Sequence, residues 1–299
     1  MADEWNSPRL FTVGLREPDR IAFNSDNNLL AVGASETNRV VVLDLADGRE
    51  VARIEGARLN GLRAFEFSRN KLLLLRDEAC VFYNVHRRTF EPIFTPTSHP
   101  QSATIDPAGR LLAVGVTSGL ILFDLEKQEV RWRRETSLEA APQNPAFSPG
   151  GEFVAGDFTP SKSGGFILVW DTAHGRRWRT VETGKVDPIV AFRGDTLSFV
   201  VGEDGLDLYE PNRGDEPVTR YPNPEFPRAA AFRDTGKLLA AVGYKDGLIV
   251  FDTTTGRPIK AINRPDGREI EYSFASPDWS LIASTTKGGV LVWASGGDE

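Results

Sequence analysis

Residues 230–263 read AAFRDTGKLLAAVGYKDGLIVFDTTTGRPIKAIN. This segment contains four short apolar runs separated by residues that favour turns. Runs such as Leu248-Ile249-Val250-Phe251 are rich in β-branched and aromatic residues, which favours strands over helices. The segment therefore predicts one sheet of four antiparallel strands.

The same pattern occurs seven times along the chain. The copies align on the apolar residue that ends each first strand: Phe23, Phe67, Ile105, Phe147, Phe192, Phe232 and Phe274. The mean interval of about 42 residues is typical of a four-stranded propeller blade. We expect an all-β, seven-bladed β-propeller with blades that begin near residues 20, 63, 102, 144, 188, 229 and 271.

The seventh copy ends one strand early, at Val292-Trp293. Residues 9–13, Arg-Leu-Phe-Thr-Val, form an apolar run ahead of the first copy. Pairing the first and last strands in one sheet removes the open seam of a ring of blades. We expect residues 9–13 to complete the last blade and residues 1–299 to form a single domain.

Two motifs recur at fixed places in the repeat. Predicted third strands end in an apolar residue followed by aspartate, as in Leu43-Asp44, Phe123-Asp124, Trp170-Asp171 and Phe251-Asp252. Turns after first strands include Ser148-Pro149-Gly150-Gly151 and Asp106-Pro107-Ala108-Gly109. These motifs resemble the Trp-Asp strand ending and the Ser-Pro-Asp-Gly turn of WD-repeat propellers. The Gly-His dipeptide of that family is missing, so the resemblance is to a divergent member.

Composition narrows the class of function. The net charge of -7 disfavours a general nucleic-acid binder. No apolar run approaches 18 residues, so we expect no membrane association. The single cysteine, Cys80, excludes an internal disulfide and suits a reducing cytoplasm. We expect Cys80 to be an inert core thiol.

Motifs for catalysis are missing from the sequence. It contains no Gly-rich phosphate loop, nucleophile elbow, zinc-spaced His or Cys pair, or calcium loop. We therefore expect no catalytic residue, no metal and no cofactor. The resemblance implies a rigid platform whose loops bind other proteins. The leading interpretation is a non-catalytic scaffold, or a subunit of a cytoplasmic multiprotein assembly.

The predicted partner-binding residues form two sets. The top face comprises the loops before first strands and between second and third strands, with Arg20, Arg63, Arg76, Asp157, Phe158, Lys162, Phe226, Arg228, Tyr244, Lys245, Glu271 and Lys287. Its mixed charges favour a protein partner. The rim comprises the outermost strands, with Arg131, Trp132, Arg133, Arg177, Trp178 and Arg179. Rim charges also protect edge strands from aggregation, which is an alternative explanation for them.

Two other functions stay open. A propeller-type metal-dependent hydrolase or lactonase would need ligands that converge at the top face, for which Asn144, Asp187 and Glu271 are the candidates. Alternatively, the arginines and tryptophans of the rim would bind an anionic ligand such as nucleic acid or phospholipid.

Overall fold

The computed structural model of the protein describes residues 8–56, 61–76, 79–117, 119–136, 140–159, 165–182, 190–193, 198–210, 216–225, 227–233, 236–243, 247–262, 273–276, 280–286 and 289–294. Within these ranges the chain is all-β, with strands and turns and without an α-helix. No helix in the described part is long and apolar enough to cross a membrane.

The chain divides into two compact units, residues 1–92 with 264–299 and residues 93–263. The first unit supplies three four-stranded antiparallel sheets. Their strands are β1 (Arg9–Thr12), β2 (Arg20–Phe23), β3 (Leu29–Ala34), β4 (Arg39–Asp44), β5 (Glu50–Ile54), β6 (Ala64–Ser68), β7 (Lys71–Leu75), β8 (Cys80–Asn84), β9 (Thr89–Phe94), and, near the C-terminus, β25 (Ser273–Ala275), β26 (Leu281–Thr286) and β27 (Gly289–Ala294). The single domain expected from the sequence stays a prediction.

The second unit forms four sheets, three of them four-stranded. Their strands are β10 (Pro100–Ile105), β11 (Leu111–Val116), β12 (Gly119–Asp124), β13 (Glu129–Glu135), β14 (Ala146–Phe147), β15 (Phe153–Phe158), β16 (Phe166–Asp171), β17 (Arg177–Glu182), β18 (Ala191–Arg193), β19 (Ser198–Tyr209), β20 (Thr219–Glu225), β21 (Pro227–Arg233), β22 (Leu238–Gly243), β23 (Gly247–Asp252) and β24 (Pro258–Ile262). The described residues thus contain six four-stranded sheets of the kind that form propeller blades.

The fifth repeat departs from the expected pattern. Its sheet has three strands because β19 is a single run of 12 residues, where the sequence predicts two strands and a turn. Gly205 lies within this run with a φ of +102°, and the register with β20 shifts between Asp204 and Leu206. A glycine bulge therefore bends the chain without ending the strand. The expectation of four strands in all seven repeats is wrong at this repeat.

The closing strand lies where the sequence predicts it. β1 pairs antiparallel with β27, and Phe11 is opposite Val290. The side chain of Phe11 is buried in an apolar cluster with residues of β2, β3 and β4, such as Leu30. The next residue, Leu10, is 51% exposed on the other face of the strand. The prediction that residues 9–13 complete the last sheet is confirmed for residues 9–12.

The apolar core lies between consecutive sheets. In the second unit, one cluster joins Leu122 and Trp132 to Trp170 of the next sheet. A further cluster joins Val169 of that sheet to Phe192 of the following one. Strands β3, β11 and β12 are buried along their whole length, on both faces. Two-sided burial explains why these strands are continuous apolar runs in the sequence.

The recurrent polar residues at strand ends stabilise the turns. After first strands, Asp106 Oδ1 accepts the N–H of Leu111 at 2.7 Å, and Ser148 Oγ accepts that of Phe153 at 3.1 Å. After third strands, Asp252 Oδ1 accepts the N–H groups of Thr254 and Thr255. Such side-chain acceptors hold the turn backbone in place. The aspartate of the strand-ending motif therefore has a structural role in these turns.

Replacement of Phe11 tests the contribution of the closing strand. We expect Phe11→Ala to lower the free energy of unfolding by roughly 3 kcal/mol, because it empties a buried aromatic site. Leu10→Ala, in the same strand but exposed, should change it by no more than about 0.5 kcal/mol. Urea denaturation of both variants gives the comparison, and equal effects would show that β1 does not close the sheet through Phe11.

Cys80 opens β8 and is fully buried, as the sequence predicts. Burial raises the pKa of its thiol to about 12. The thiol therefore stays neutral at pH 8, and the reactive thiolate is scarce. We expect a maleimide to label the native protein slowly and the urea-unfolded protein at once. Rapid labelling of the native protein would contradict the buried position of Cys80.

Candidate functional site

The rim residue Trp132 is part of the core. It lies in β13, and its side chain is only 7% exposed. Its Nε1–H donates to the backbone oxygen of Thr172, in the next sheet, at 3.0 Å. Gly175 of that sheet has a φ of +66°, and a Cβ at this position would lie 2.7 Å from the Trp132 ring. The expectation that Trp132 contacts a partner is therefore wrong, because the ring fills the space between two sheets.

Arginines of β13 make contacts within the second unit. Arg134 donates from Nη2 to the oxygen of His174 at 2.6 Å and from Nε to the oxygen of Gly175. Arg133 donates to Thr97 Oγ1, while Arg131 lies 4.0 Å from an Asp124 oxygen. Arg131 and Arg133 remain exposed at the surface, so both are available to a partner.

Strand β17 presents a different surface. Trp178 is 36% exposed and packs on one side against Phe153, with ring centroids 5.4 Å apart. Arg177 beside it is exposed, whereas Arg179 is half-buried. Of the two predicted rim tryptophans, the structure therefore leaves Trp178 accessible. An aromatic ring supported from below and flanked by a guanidinium is a common feature of protein-binding surfaces.

Four outermost strands carry a one-residue bulge at the same place. The strands are β5, β13, β17 and β24, and the unpaired residues are Val51, Arg131, Trp178 and Ile259. Bulges twist an edge strand away from regular pairing and change the direction of a side chain. Trp178 and Ile259, at 36% and 57% exposure, are among the most exposed large apolar residues described. These bulges cannot be predicted from the sequence, because the register between paired strands is not visible in composition.

The top-face residues differ in their availability. Arg20 opens β2 and donates from Nε to Ser35 Oγ at 2.9 Å. Arg63 precedes β6 and is half-buried. Arg20 and Arg63 both remain candidates for contact with a protein partner. Lys162, Phe226, Tyr244, Lys245, Glu271 and Lys287 lie outside the described residues, and Arg228 is described only as backbone of β21.

Asp157 and Phe158 do not belong to an exposed loop. Strand β15 continues through both, and their side chains are 1% and 0% exposed. Asp157 accepts the backbone N–H groups of Gln143 and Asn144 at 3.0 and 2.6 Å. Burial raises the pKa of its carboxyl, while these N–H groups act in the opposite direction. The predicted partner contacts of Asp157 and Phe158 are wrong, because the strand is longer than its sequence suggests.

Arg76, another top-face residue, lines a cavity at the second sheet. The cavity has a volume of about 470 Å³ and is lined by Arg76, Arg88, Thr89 and Phe90. The guanidinium carbon of Arg76 lies 6.0 Å from the centroid of the Phe90 ring. The sequence gives no sign that these four residues are close together, because Arg76 follows β7 and the other three lie around the start of β9.

Of the three proposed metal ligands, only Asn144 lies among the described residues. Asn144 donates from Nδ2 to Asp157 Oδ2 at 3.1 Å, whereas Asp187 and Glu271 lie outside the described residues. Among the residues that the structure describes, no group of three or more His, Cys, Asp or Glu side chains could hold a metal ion.

No protein-family model matches the chain, and no curated protein matches its sequence. The resemblance to WD-repeat propellers therefore rests on the motifs and on the repeated four-stranded sheets.

The two rim tryptophans give a matched pair for mutation. We expect Trp132→Phe to lower the free energy of unfolding by roughly 1–3 kcal/mol, because it removes the bond to Thr172 and leaves that buried oxygen without this donor. Trp178→Phe should change it by no more than about 0.5 kcal/mol. Chemical denaturation measures both values, and the reverse order would contradict the burial of Trp132.

Proposed function

We propose that the protein is a non-catalytic scaffold that binds another protein through β17 and the loops of the top face. The observation that carries this proposal is the exposed Trp178 ring, supported by Phe153 and flanked by the exposed Arg177. The framework we propose for it is a divergent WD-type propeller of seven blades. The seven repeats and the pairing of β1 with β27 support that framework.

The chemistry of β17 favours a protein partner with an acidic, partly apolar segment. Tryptophan and arginine are the residues that most often dominate the binding energy of protein interfaces. The chain as a whole carries a charge of -7, yet β17 and the turn before it contain Arg176, Arg177 and Arg179. A local cationic cluster on an acidic protein orients an acidic partner during association.

The remaining features of the chain support the same proposal. The repeats and their turn-stabilising polar residues account for most of the described chain as framework. We also propose a location in the cytoplasm, which the single buried thiol of Cys80 supports. The metal-dependent hydrolase and the nucleic-acid or phospholipid binder stay predictions from the sequence.

The experiment compares capture by the native protein and by a rim variant. The tagged protein and its Arg177→Glu, Trp178→Ala variant are incubated with lysate of the source organism, and captured proteins are identified by mass spectrometry. Arg87→Glu, at an exposed turn arginine, is the control. We expect a protein that the variant loses and the control keeps, and that binds directly when purified, with affinity reduced roughly tenfold or more in the variant.

Two results would contradict the proposal. One is a set of captured proteins that the Arg177→Glu, Trp178→Ala variant leaves unchanged while its melting temperature matches that of the native protein. The other is recovery of nucleic acid in place of protein, with binding that weakens steeply as salt rises.

A further inference from the structure

The cavity lined by Arg76, Arg88, Thr89 and Phe90 is an open depression at the surface, where Arg88 and Thr89 are exposed. Its volume of about 470 Å³ lies within the range of roughly 300–1,000 Å³ that is typical of ligand pockets. All four lining residues belong to the first unit. A ligand at this cavity would be independent of the proposed scaffold function.

The lining groups favour a particular ligand chemistry. Two guanidinium groups and one hydroxyl supply N–H and O–H donors, and the Phe90 ring supplies an apolar wall. Guanidinium groups pair with the two oxygens of a carboxylate or phosphate through parallel hydrogen bonds. The ring suits a flat apolar body attached to that oxyanion.

Arg88 occupies a backbone position that normally favours glycine. It ends the turn between the third and fourth strands with a φ of +56°, and its N–H donates to Asn84 O at 2.8 Å. The same position and bond occur in three other sheets, where the residue is Gly48, Gly175 or Gly256, and Gln128 has a φ of +57° at the corresponding position before β13. A side chain in this left-handed conformation costs free energy that glycine avoids. Glycine suits this position, so replacing Arg88 by glycine removes the side chain without straining the turn.

The guanidinium of Arg88 is positioned by the neighbouring sheet. Its Nη2 donates to the backbone oxygen of Val51 at 3.0 Å. Because a guanidinium has five N–H donors, one such bond fixes its position and leaves further donors for a ligand. The nearby carboxylate of Glu91 is paired with Lys71 Nζ and does not line the cavity.

We propose that this cavity binds a small aromatic oxyanion, with Arg76 and Arg88 holding the charged group and Phe90 contacting the ring. Carboxylates and phosphate monoesters share this chemistry, and the ligands chosen for the test distinguish them.

Isothermal titration calorimetry of the full chain tests the proposal with benzoate, phenyl phosphate and the neutral benzyl alcohol. We expect saturable binding of benzoate or phenyl phosphate with a Kd of about 1 mM or lower. Benzyl alcohol should bind roughly tenfold more weakly or not at all, because it lacks the charge. The tighter of the two anions identifies the class of oxyanion.

Arg88→Gly separates binding from stability. Glycine suits the left-handed turn, so we expect an unchanged or higher melting temperature together with a Kd raised roughly tenfold or more. Arg76→Gln should also raise the Kd, whereas Arg87→Gln, at an exposed arginine outside the cavity, should not. The proposal is overturned if neither anion binds, if benzyl alcohol binds as tightly, or if Arg88→Gly keeps the native Kd.

Discussion

Burial of both faces of the middle strands is the constraint on which the rest of the structure depends. Strands β3, β11 and β12 are buried at every residue, so a sheet with such a middle strand needs cover at both faces. Apolar burial is the main favourable contribution to folding, and a single sheet of this kind cannot satisfy it alone. The pairing of β1 with β27 follows from this need, because it completes the last sheet of the first unit and buries Phe11 against the sheet of β2.

Arginine side chains also stabilise the contacts between neighbouring sheets. In the first unit, Arg9 donates from Nη1 to Leu45 O, in the turn of the next sheet. In the second unit, Arg134 and Arg193 donate to turn oxygens of Gly175 and Gly236. A guanidinium reaches across a sheet boundary and satisfies a carbonyl that strand pairing leaves open. These three arginines therefore have a structural role. Arg88 makes a similar bond to Val51 O, whereas Arg177 is exposed.

The two proposed sites use different properties of the fold. At β17, a bulge and an underlying ring present Trp178 at an edge, which suits contact with another protein. At the second sheet, a turn and a strand end bring Arg76 and Arg88 to one cavity, which suits a small anion. Other sheets have different residues at the positions of Trp178 and Arg88. The repeated fold therefore does not require these two side chains.

The sequence by itself determined most of the strands, their grouping in six of the seven repeats and the role of residues 9–12, because apolar periodicity and turn residues are local signals that recur along the chain. It also indicated the buried thiol of Cys80. The tertiary structure alone decided which polar and aromatic residues are accessible. Trp132 and Trp178 have similar sequence neighbours, yet one fills the gap between sheets and the other lies on a bulge. Register with the preceding strand and contacts with the next sheet set that difference, and the contact of Trp132 with Thr172 joins residues 40 positions apart.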